Sequence, residues 1–439
     1  MPERNEQDRS RHSRRGFVRR SAAAVGAGLA LGSQVVPNVH AAGSQTLKIG
    51  LVGCGGRGRG AAVQALKADP QTRLVALADA FPDQIETTHS LFGRMKEIAP
   101  RAEVPKDRCY TGFDAYQQLI DSDVDVVLLA APPHFRPKHM QACVEAGKHV
   151  FAEKPVAVDA AGVKGILEAG KVAKEKDLVV VSGLCWRYDN RARAAIEKIH
   201  NGDLGHVVAI HSVYNASPPG KPWPMRQDAS WGPMEEQLRN WYWFTWLSGD
   251  HIVEQAIHSI DKGAWAIRDE TPLAAVGLGG LQARQGDELG SIFDHHTVVY
   301  EHENGLKHFH TCRQQIGCTN DVGTEVVGTN GICDIDRGVI RNHDGEIVWK
   351  FKGKRNVMHQ QEQDDLIAAI RAGKPINNTE YMAKSTMQAI LGRMASYTGK
   401  RITWDQAMNS KEEYALPRYD WKITPETRPI AVPGTTRFV

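Results

Sequence analysis

The sequence predicts an α/β chain in which a doubly wound parallel sheet is followed by a second, antiparallel α+β domain. Three observations lead to this prediction. Strand and helix patterns alternate between Thr46 and Gly183, a glycine-rich turn follows the first strand pattern, and apolar and polar residues alternate after about Pro272. Alternating strands and helices are typical of parallel sheets, whereas apolar–polar alternation is typical of antiparallel sheets with one solvated face.

The length and composition of the chain agree with two domains. Its 439 residues exceed what one hydrophobic core usually organises, and we predict a first domain over residues 42–183 and a second over residues 184–439. The chain is 41% hydrophobic and 24% charged, with a net charge of +3. This near-neutral balance is typical of a soluble enzyme or binding protein and gives no reason to expect a nucleic-acid partner.

Residues 1–41 match a twin-arginine export signal. The segment SRRGFVRR, from Ser13 to Arg20, precedes an apolar, Ala/Gly-rich run and a small-residue pattern that ends at Ala41. This pattern predicts export to the periplasm of a protein that is already folded and loaded with any cofactor. The apolar run is shorter than the roughly 20 residues of a membrane span, so we expect cleavage near Ala41. Retention as a membrane anchor and a basic tail before a surface helix are the alternatives.

The cysteines predict neither a disulfide framework nor a structural zinc site. There are seven of them, an odd number, and none forms a CxxC pair. We therefore expect buried free thiols.

The turn after the first strand predicts a dinucleotide site. Gly53, Gly55 and Gly58 stand at GxGxxG spacing between a strand pattern and a helix pattern. The first glycine permits the tight turn, the second lets a pyrophosphate approach the backbone, and the third lets helix and strand pack closely. Gly56 and Arg57 lie in the same turn and are expected at the cofactor.

Asp79 favours NAD over NADP. It ends the next strand pattern, RLVALAD, about 20 residues after the glycine turn, where a carboxylate accepts hydrogen bonds from ribose hydroxyls and repels an extra phosphate. Arg57 and Arg59 leave NADP open as the alternative, because either could reach that phosphate.

Further site residues are expected where later parallel strands end. Pro132 and His134 follow one strand pattern, and Glu153 and Lys154 follow the next. In doubly wound sheets the ligand lies outside the carboxyl ends of the strands. We therefore expect Pro132, His134 and Glu153 at the cofactor and Lys154 beside the substrate.

These motifs together resemble the Gfo/Idh/MocA family. The resemblance is carried by the glycine turn, by AAPPHF, by AGKHVFAEKP, which ends at Pro155, and by GLCWRYDNRARAAIEKIHNGDLGHV. It implies a Rossmann domain and a carboxy-terminal domain with a large open, mostly antiparallel sheet, assembled as a homodimer or homotetramer. It also implies hydride transfer at a carbinol carbon of a sugar, inositol or polyol. Lys154 then corresponds to a lysine that hydrogen-bonds the reacting oxygen, with a cis bond to Pro155.

His258 matches the catalytic histidine position of that family. Glu254 stands four residues earlier on the same helical face, where the family usually has an aspartate. A neutral imidazole can accept the proton that leaves the carbinol oxygen, while Lys154 stabilises the alkoxide. We expect Glu254 to orient His258 or to bind a substrate hydroxyl. A positioning role for His258 is the alternative.

Other histidines leave further readings open. His251, Glu254 and His258 could ligate a metal from one helix face, but the chain lacks an HExxH or HxxEH string and we expect no metal. His251 is expected to contact substrate instead. His308 and His310 share one strand face, and His310 is the other histidine expected in the cleft.

The aromatic residues between Trp186 and Trp265 suggest a carbohydrate cleft. Aromatic faces stack on the C–H faces of sugars, and Trp186, Arg187 and Tyr188 directly follow the last strand pattern of the first domain. We expect these three to contact substrate. A core or an oligomer interface is the alternative for the aromatic segment.

The sequence therefore predicts an NAD-dependent oxidoreductase acting on a carbinol carbon of a sugar, glycoside or polyol, with tightly bound cofactor. Tight binding is expected because no nicotinamide pool is maintained outside the cytoplasm. A redox-neutral NAD-dependent glycoside hydrolase, lyase or epimerase is the first alternative. A non-catalytic sugar-binding protein is the second.

Overall fold

A six-stranded parallel sheet organises the amino-terminal half of the protein. The computed structural model describes residues 46–218, 225–286 and 289–439, so the signal expected at 1–41 lies outside the described residues. The strand order is β3-β2-β1-β4-β5-β6, as in a doubly wound Rossmann sheet. The strands are β1 (Leu47–Val52), β2 (Thr72–Asp79), β3 (Cys109–Thr111), β4 (Val126–Leu129), β5 (His149–Ala152) and β6 (Val180–Ser182).

Helices cover both faces of this sheet. They are α1 (Gly56–Ala68), α2 (Pro82–Gly93), α3 (Ala115–Ile120), α4 (Arg136–Glu145) and α5 (Ala160–Glu175), followed by α6 (Asn190–His200). Strand β4, VVLL, is buried along its whole length, as expected for a strand covered on both faces. The Asp159 side chain caps α5 by accepting a hydrogen bond from the Gly162 amide at 2.7 Å.

A nine-stranded sheet forms the second half. Its order is β14-β13-β12-β11-β7-β10-β9-β8-β15, and its neighbours pair antiparallel except for the parallel pair β7–β10. The predicted antiparallel domain is therefore confirmed. The strands are β7 (Val207–Ala216), β8 (Ala274–Gly280), β9 (His295–Glu301), β10 (Lys307–Gln314), β11 (Asp321–Gly328), β12 (Gly331–Asp334), β13 (Val339–Arg341), β14 (Ile347–Lys350) and β15 (Ile402–Thr403).

The helices of the second half include one that packs against the first sheet. They are α7 (Pro233–Arg239), α8 (Thr245–Ser248), α9 (His251–Glu254), α10 (Ile257–Ala266), α11 (Met358–Ala372), α12 (Thr379–Thr398) and α13 (Trp404–Met408). Leu366 and Ile367 of α11 belong to the same buried cluster as Ile49 of β1 and Leu66 of α1. A helix that follows β14 of the second sheet in the chain thus completes the covering of the first sheet.

Glycines end the two long helices of the second half. Gly373 follows α11 with φ of 59° and Gly399 follows α12 with φ of 67°. A left-handed residue at this position is a common helix stop, and glycine adopts it without a steric penalty.

The cysteines and the helices add two further facts. All seven cysteines are free, and Cys318 is exposed, which corrects the expectation that every thiol is buried. Across the described residues, none of the helices has the combination of length and apolar character that crossing a membrane requires.

The irregular carboxy-terminal arm after Pro417 packs against its own chain. Trp421 lies 4.6 Å from Phe113 and 5.5 Å from Phe81, measured between ring centroids. Tyr419 lies 5.5 Å from Phe135. These three phenylalanines stand in the loops that follow β2, β3 and β4, so the arm covers the carboxyl edge of the Rossmann sheet.

Candidate active site

The glycine turn has the geometry that a bound pyrophosphate requires. Gly53 has φ of +94°, and a Cβ there would lie 2.4 Å from the Ala131 amide nitrogen. A Cβ on Gly58 would lie 1.9 Å from the Gly53 carbonyl oxygen, so only glycine lets α1 pack this closely. No atom lies within 4 Å of a Cβ built on Gly55 or Gly56. The open space at these two residues is where a pyrophosphate fits against the amino terminus of α1.

Asp79 is held at the mouth of this turn. Its Oδ2 accepts a hydrogen bond from the Cys54 amide at 2.6 Å, and its Oδ1 accepts one from the Phe81 amide at 2.9 Å. Burial raises the pKa of Asp79, while these two amides oppose the rise. The carboxylate thus has a fixed orientation beside the turn, as a ribose-binding carboxylate needs.

A cavity of about 520 Å³ begins at the glycine turn and lies between the two halves of the described chain. Its volume is within the range of small-molecule sites. The predicted cofactor residues that line it are Gly53, Gly55, Gly56, Asp79 and Pro132. The opposite wall comes from the second half and includes Arg226, Trp231, Leu238, Arg239 and Trp241.

Arg57 points elsewhere and links three elements. Its guanidinium pairs with Glu153 after β5 and, at 2.6 Å, with Glu362 of α11. Burial raises the pKa of Glu362 to about 7, against the lowering influence of His359 and Arg57. Arg57 and Glu153 thus form a bridge between elements and do not line the cavity, and their expected cofactor contacts stay predictions.

His134 also lies outside the cavity lining. Its Nε2 is 2.7 Å from the Tyr419 hydroxyl, and its ring packs edge-on against Trp246 at 4.9 Å. Burial lowers its pKa to about 4, so the ring is neutral at physiological pH. His134 thus contacts the arm through Tyr419, and its expected cofactor contact stays a prediction.

Lys154 lies at the carboxyl edge of the sheet, next to the cavity. Leu129 of β4 and Ala152 of β5 are register partners, so Pro132 and Lys154 emerge side by side. The peptide bond between Lys154 and Pro155 is cis, as predicted. The ammonium donates to the Glu254 carbonyl oxygen and, at 3.0 Å, to Glu254 Oε1. The two side chains are 13% and 14% exposed, so the pair is shielded but reachable.

His258 completes this group from the start of α10. Its Nδ1 is 4.0 Å from Cys185 Sγ, and its ring stacks with Tyr214 at 6.4 Å between centroids. Burial lowers its pKa well below the ordinary value, and the positive charge of Lys154 lowers it further. The imidazole is therefore neutral at pH 7. Lys154, Glu254 and His258 thus come together, as the sequence predicted, and we call them the candidate catalytic group.

Arg187 and Tyr188 do not reach an open cleft. The Arg187 guanidinium pairs with Asp261 at 2.8 Å and with Asp269, and it stacks over Tyr381 at 3.9 Å. The Tyr188 hydroxyl donates to Asn378 at 3.0 Å. Both side chains are buried and their polar groups are engaged within the protein, so the structure gives their expected substrate contacts no support.

Trp186 is partly buried, and the Lys262 ammonium nitrogen lies over its ring, 4.3 Å from the ring centroid. His251 and His310 are also interior, with exposures of 1% and 0%. His310 shares Ser212 with His308, each imidazole lying 2.7 Å from its hydroxyl. None of Trp186, His251 and His310 lines the cavity, so their expected substrate contacts gain no support from it.

The aromatic segment divides between core and cavity wall. Tyr242, Trp243 and Trp246 belong to a buried cluster, whereas Trp231 and Trp241 line the cavity opposite the glycine turn. The sequence suggested a sugar-stacking role, a core or an oligomer interface for these rings, and it gave no signal that two of them would line the cavity at the glycine turn. It also missed Tyr214, a residue of β7 whose only sequence signal was an aromatic side chain in a strand pattern.

Sequence similarity relates this chain to a known family and to an enzyme of known name. Residues 47–184 match the Gfo/Idh/MocA family, described as an oxidoreductase family with an NAD-binding Rossmann fold. Inositol 2-dehydrogenase of Burkholderia cenocepacia (strain HI2424) is 31% identical over 297 residues, which cover 66% of this chain and 74% of that protein.

Two solved structures share the fold. Scyllo-inositol dehydrogenase of Lactobacillus casei, with NAD(H) and scyllo-inositol bound, gives a TM-score of 0.62 at 19% identity and covers 82% of this chain and 100% of its own. Aldose-aldose oxidoreductase of Caulobacter crescentus, complexed with glycerol, gives a TM-score of 0.62 at 18% identity with the same coverage. The fold and the glycine turn define an NAD-binding oxidoreductase. The chain belongs to the Gfo/Idh/MocA family.

Proposed function

We propose that this oxidoreductase oxidises a carbinol carbon of a cyclic polyol or sugar, of the size of an inositol or a hexose. The observation that carries the proposal is the candidate catalytic group, in which Lys154 from the Rossmann half meets Glu254 and His258 from the second half. None of the three lines the cavity at the glycine turn, but Lys154 follows β5, the neighbour of β4, and the residues after β4, Ala130 to Pro132, do line it. The names of the inositol and aldose relatives support the substrate class.

The residues present fit NAD, which when bound supplies the acceptor for the hydride from the carbinol carbon. Open space at Gly55 and Gly56 suits the pyrophosphate, and Asp79 suits the ribose of NAD better than the phosphate of NADP. Arg57 is engaged by two carboxylates, but Arg59 and Arg239 line the cavity. NADP is therefore the alternative that a cofactor titration has to test.

Lys154 and His258 divide the work on the substrate oxygen. An ammonium has three donors and two of them go to Glu254, so the third is available to the substrate hydroxyl. His258 is neutral and can accept the hydroxyl proton. Its lowered pKa makes it a weak base, so the charge of Lys154 is needed to stabilise the oxygen as it loses the proton. Glu254 holds the ammonium in place.

The experiment is a substrate survey on purified protein. Inositols, hexoses and glycosides are mixed with the protein and NAD or NADP, and the absorbance of the reduced cofactor is followed together with product analysis. Lasting reduction with at least one polyol or sugar supports the proposal. Product without net reduction supports a redox-neutral hydrolase, lyase or epimerase, and tight binding without any product supports a sugar-binding protein.

One observation favours the redox-neutral or coupled alternative. Trp231 and Arg239 form the far wall of the cavity, and Trp421 of the arm packs over the Phe81 and Phe113 loops at its rim. A cofactor enclosed in this way exchanges slowly, which suits an enzyme that regenerates its cofactor within each cycle. Cofactor content after extensive dialysis, and turnover without added cofactor, distinguish this mode from ordinary exchange.

Export and assembly belong to the same proposal. We expect the twin-arginine segment to direct export, and replacing Arg14 and Arg15 by Lys should retain the protein in the cytoplasm in cell fractionation. We also expect a homodimer or homotetramer. Val276, Leu278 and Phe309 expose apolar side chains on the outer face of the large sheet, a surface that suits a subunit interface. Light scattering on the purified protein tests the oligomeric state.

A further inference from the structure

A second cluster of chemically active side chains lies in the interior of the second half. Asp250 and His251 stand at the start of α9, and His296 stands on β9. All three are buried, with exposures of 0%, 1% and 1%. One ligand atom from each, two imidazole nitrogens and a carboxylate oxygen, lies within 4.8 Å of the others. This cluster takes no part in the chemistry assigned to Lys154 and His258.

The two imidazoles converge on one carboxylate oxygen. His296 Nε2 is 3.2 Å from Asp250 Oδ1, and His251 Nε2 is 3.9 Å from the same oxygen. Among the described residues His251 Nε2 has no hydrogen-bond partner, and His296 Nε2 approaches the Asp250 carboxylate without a well-aligned hydrogen bond. Buried polar atoms are normally paired, and an unpaired one costs about 1–3 kcal/mol. Two such atoms beside one carboxylate therefore suggest a ligand between them.

The surroundings of His296 support this reading. Its Nδ1 is 2.8 Å from Ser396 Oγ, and that hydroxyl donates to the Arg393 carbonyl at 3.0 Å. A hydroxyl has one proton, so Ser396 accepts from Nδ1–H, and the neutral imidazole then presents a lone pair on Nε2. That lone pair faces a carboxylate oxygen, which repels it unless a cation lies between them. A polar partner on the other ring nitrogen is also typical of metal-binding histidines.

A proton alone does not account for the cluster. A proton on His296 Nε2 would satisfy one imidazole and leave His251 Nε2 without a partner. A single cation would satisfy both nitrogens and the oxygen.

Asp250 is held so that one oxygen remains directed at the histidines. Its Oδ2 accepts from the Phe293 amide at 2.9 Å and from the Tyr397 hydroxyl at 2.6 Å. Its Oδ1 accepts from the His251 amide and faces both Nε2 atoms. The backbone of Asp250 has φ of +79°, an uncommon conformation for a residue with a side chain. Such conformations cluster at functional sites.

We propose that Asp250, His251 and His296 bind a divalent transition metal ion, most favourably Zn²⁺, in a tetrahedral site. Zinc–nitrogen and zinc–oxygen bonds of about 2.0–2.2 Å place tetrahedral ligand atoms roughly 3.3–3.5 Å apart. The His296 Nε2 to Asp250 Oδ1 separation of 3.2 Å is close to this range, whereas His251 Nε2, at 3.9 Å from that oxygen, has to approach by about half an ångström. The two imidazole nitrogens, which lie within 4.8 Å of each other, also have to come closer. The fourth position is left for water or another donor.

The charges nearby limit the affinity. Arg284 and Arg393 interact electrostatically with Asp250, and both guanidiniums repel a cation. Arg284 donates to the Ile292 and Phe293 carbonyls, and Arg393 donates to carbonyls and to Glu412. We therefore expect a moderate metal affinity, so that a chelator removes the ion from the folded protein.

The ion would connect α9 to the large sheet. His251 and Glu254 belong to the same short helix, and Glu254 holds the ammonium of Lys154. A metal that ties the start of α9 to β9 would thus fix the position of Glu254. The ion has a positioning role in this proposal and does not touch the substrate.

The test uses the full protein with any purification tag removed. After dialysis against a chelator, the protein is titrated with Zn²⁺ or Co²⁺, and bound metal is measured by mass spectrometry and by the visible absorption of Co²⁺. We expect about one ion per chain, a spectrum of tetrahedral intensity, and a higher unfolding temperature with metal than without. His251→Gln and His296→Gln should each weaken binding at least tenfold.

His302→Gln is the matched control. His302 is buried and neither of its ring nitrogens has a partner among the described residues, yet it lies outside the cluster, so its replacement should leave metal binding unchanged. If the cluster variants fail to fold, zinc X-ray absorption of the unaltered protein decides, since it must show two imidazole ligands. An unaltered protein that takes up no ion, or a bound ion without imidazole ligands, overturns the proposal. Neither result bears on polyol oxidation.

Discussion

Replacing Lys154 by Met is the sharpest test of the proposed chemistry. Methionine keeps most of the length of the side chain and removes the ammonium, which donates twice to Glu254 and has a third donor for the substrate. Loss of one preorganised donor to a developing oxyanion costs about 2.7–4 kcal/mol, or roughly 10²–10³ in kcat. Because Lys154 does not line the cavity at the glycine turn, NAD affinity should change little.

The same variant should also shift the pH dependence. Burial is the main cause of the low pKa of His258 and remains, but the lowering by the Lys154 charge disappears. The pKa of His258 therefore rises in the variant. A higher pKa means that the imidazole becomes protonated, and loses its ability to accept a proton, at a higher pH. The acid limb of the residual rate profile should move toward neutral pH.

The assay is steady-state reduction of NAD with the best substrate from the survey, together with a separate titration of NAD binding. Lys148→Met is the matched control, because Lys148 precedes the same strand at its opposite end and donates to the Val124 carbonyl. Activity of Lys154→Met within threefold of the unaltered enzyme would refute the proposed role. A large loss of NAD affinity would instead place Lys154 in the cofactor site.

Three further predictions address the cofactor site and its supports. Gly58→Ala places a Cβ 1.9 Å from the Gly53 carbonyl oxygen, so both the NAD affinity and the unfolding temperature should fall. The control is Gly93→Ala, which has open space around its Cβ and should change neither. The pKa of Glu362 in the folded state is about 7, above its ordinary value of 4.5. Between these two pH values the folded protein binds more protons than the unfolded chain, so the free energy of unfolding falls as the pH rises from about 4.5 to 7. Glu362→Gln should remove this loss, seen as a flatter pH dependence of the free energy of unfolding; an unchanged slope would contradict it. Trp421→Ala removes the ring that packs on the loops at the cavity rim and should speed NAD dissociation at least severalfold in stopped-flow fluorescence. An unaltered dissociation rate would show that the arm does not retain the cofactor.

Local patterns in the sequence were sufficient for the fold and for the proximity of Lys154, Glu254 and His258. The glycine turn is a local feature, since the steric conflict at Gly58 arises within a few residues of chain. Strand and helix periods set the order of the Rossmann elements, and the carboxyl ends of neighbouring parallel strands had to bring Pro132 and Lys154 together. The spacing of Glu254 and His258 placed both on one side of consecutive helices.

The partners of charged and aromatic side chains were decided by the tertiary structure alone. Arg57 stands in a motif that suggests phosphate binding, yet Glu362, far along the chain, neutralises it. Arg187 follows a strand end and is nonetheless buried, where it forms ion pairs with Asp261 and Asp269. A sequence shows which side chains carry charge or a ring, but distant segments determine whether those groups meet solvent, ligand or each other. For the same reason the convergence of His251 and His296 on Asp250 appears only once α9 packs against β9.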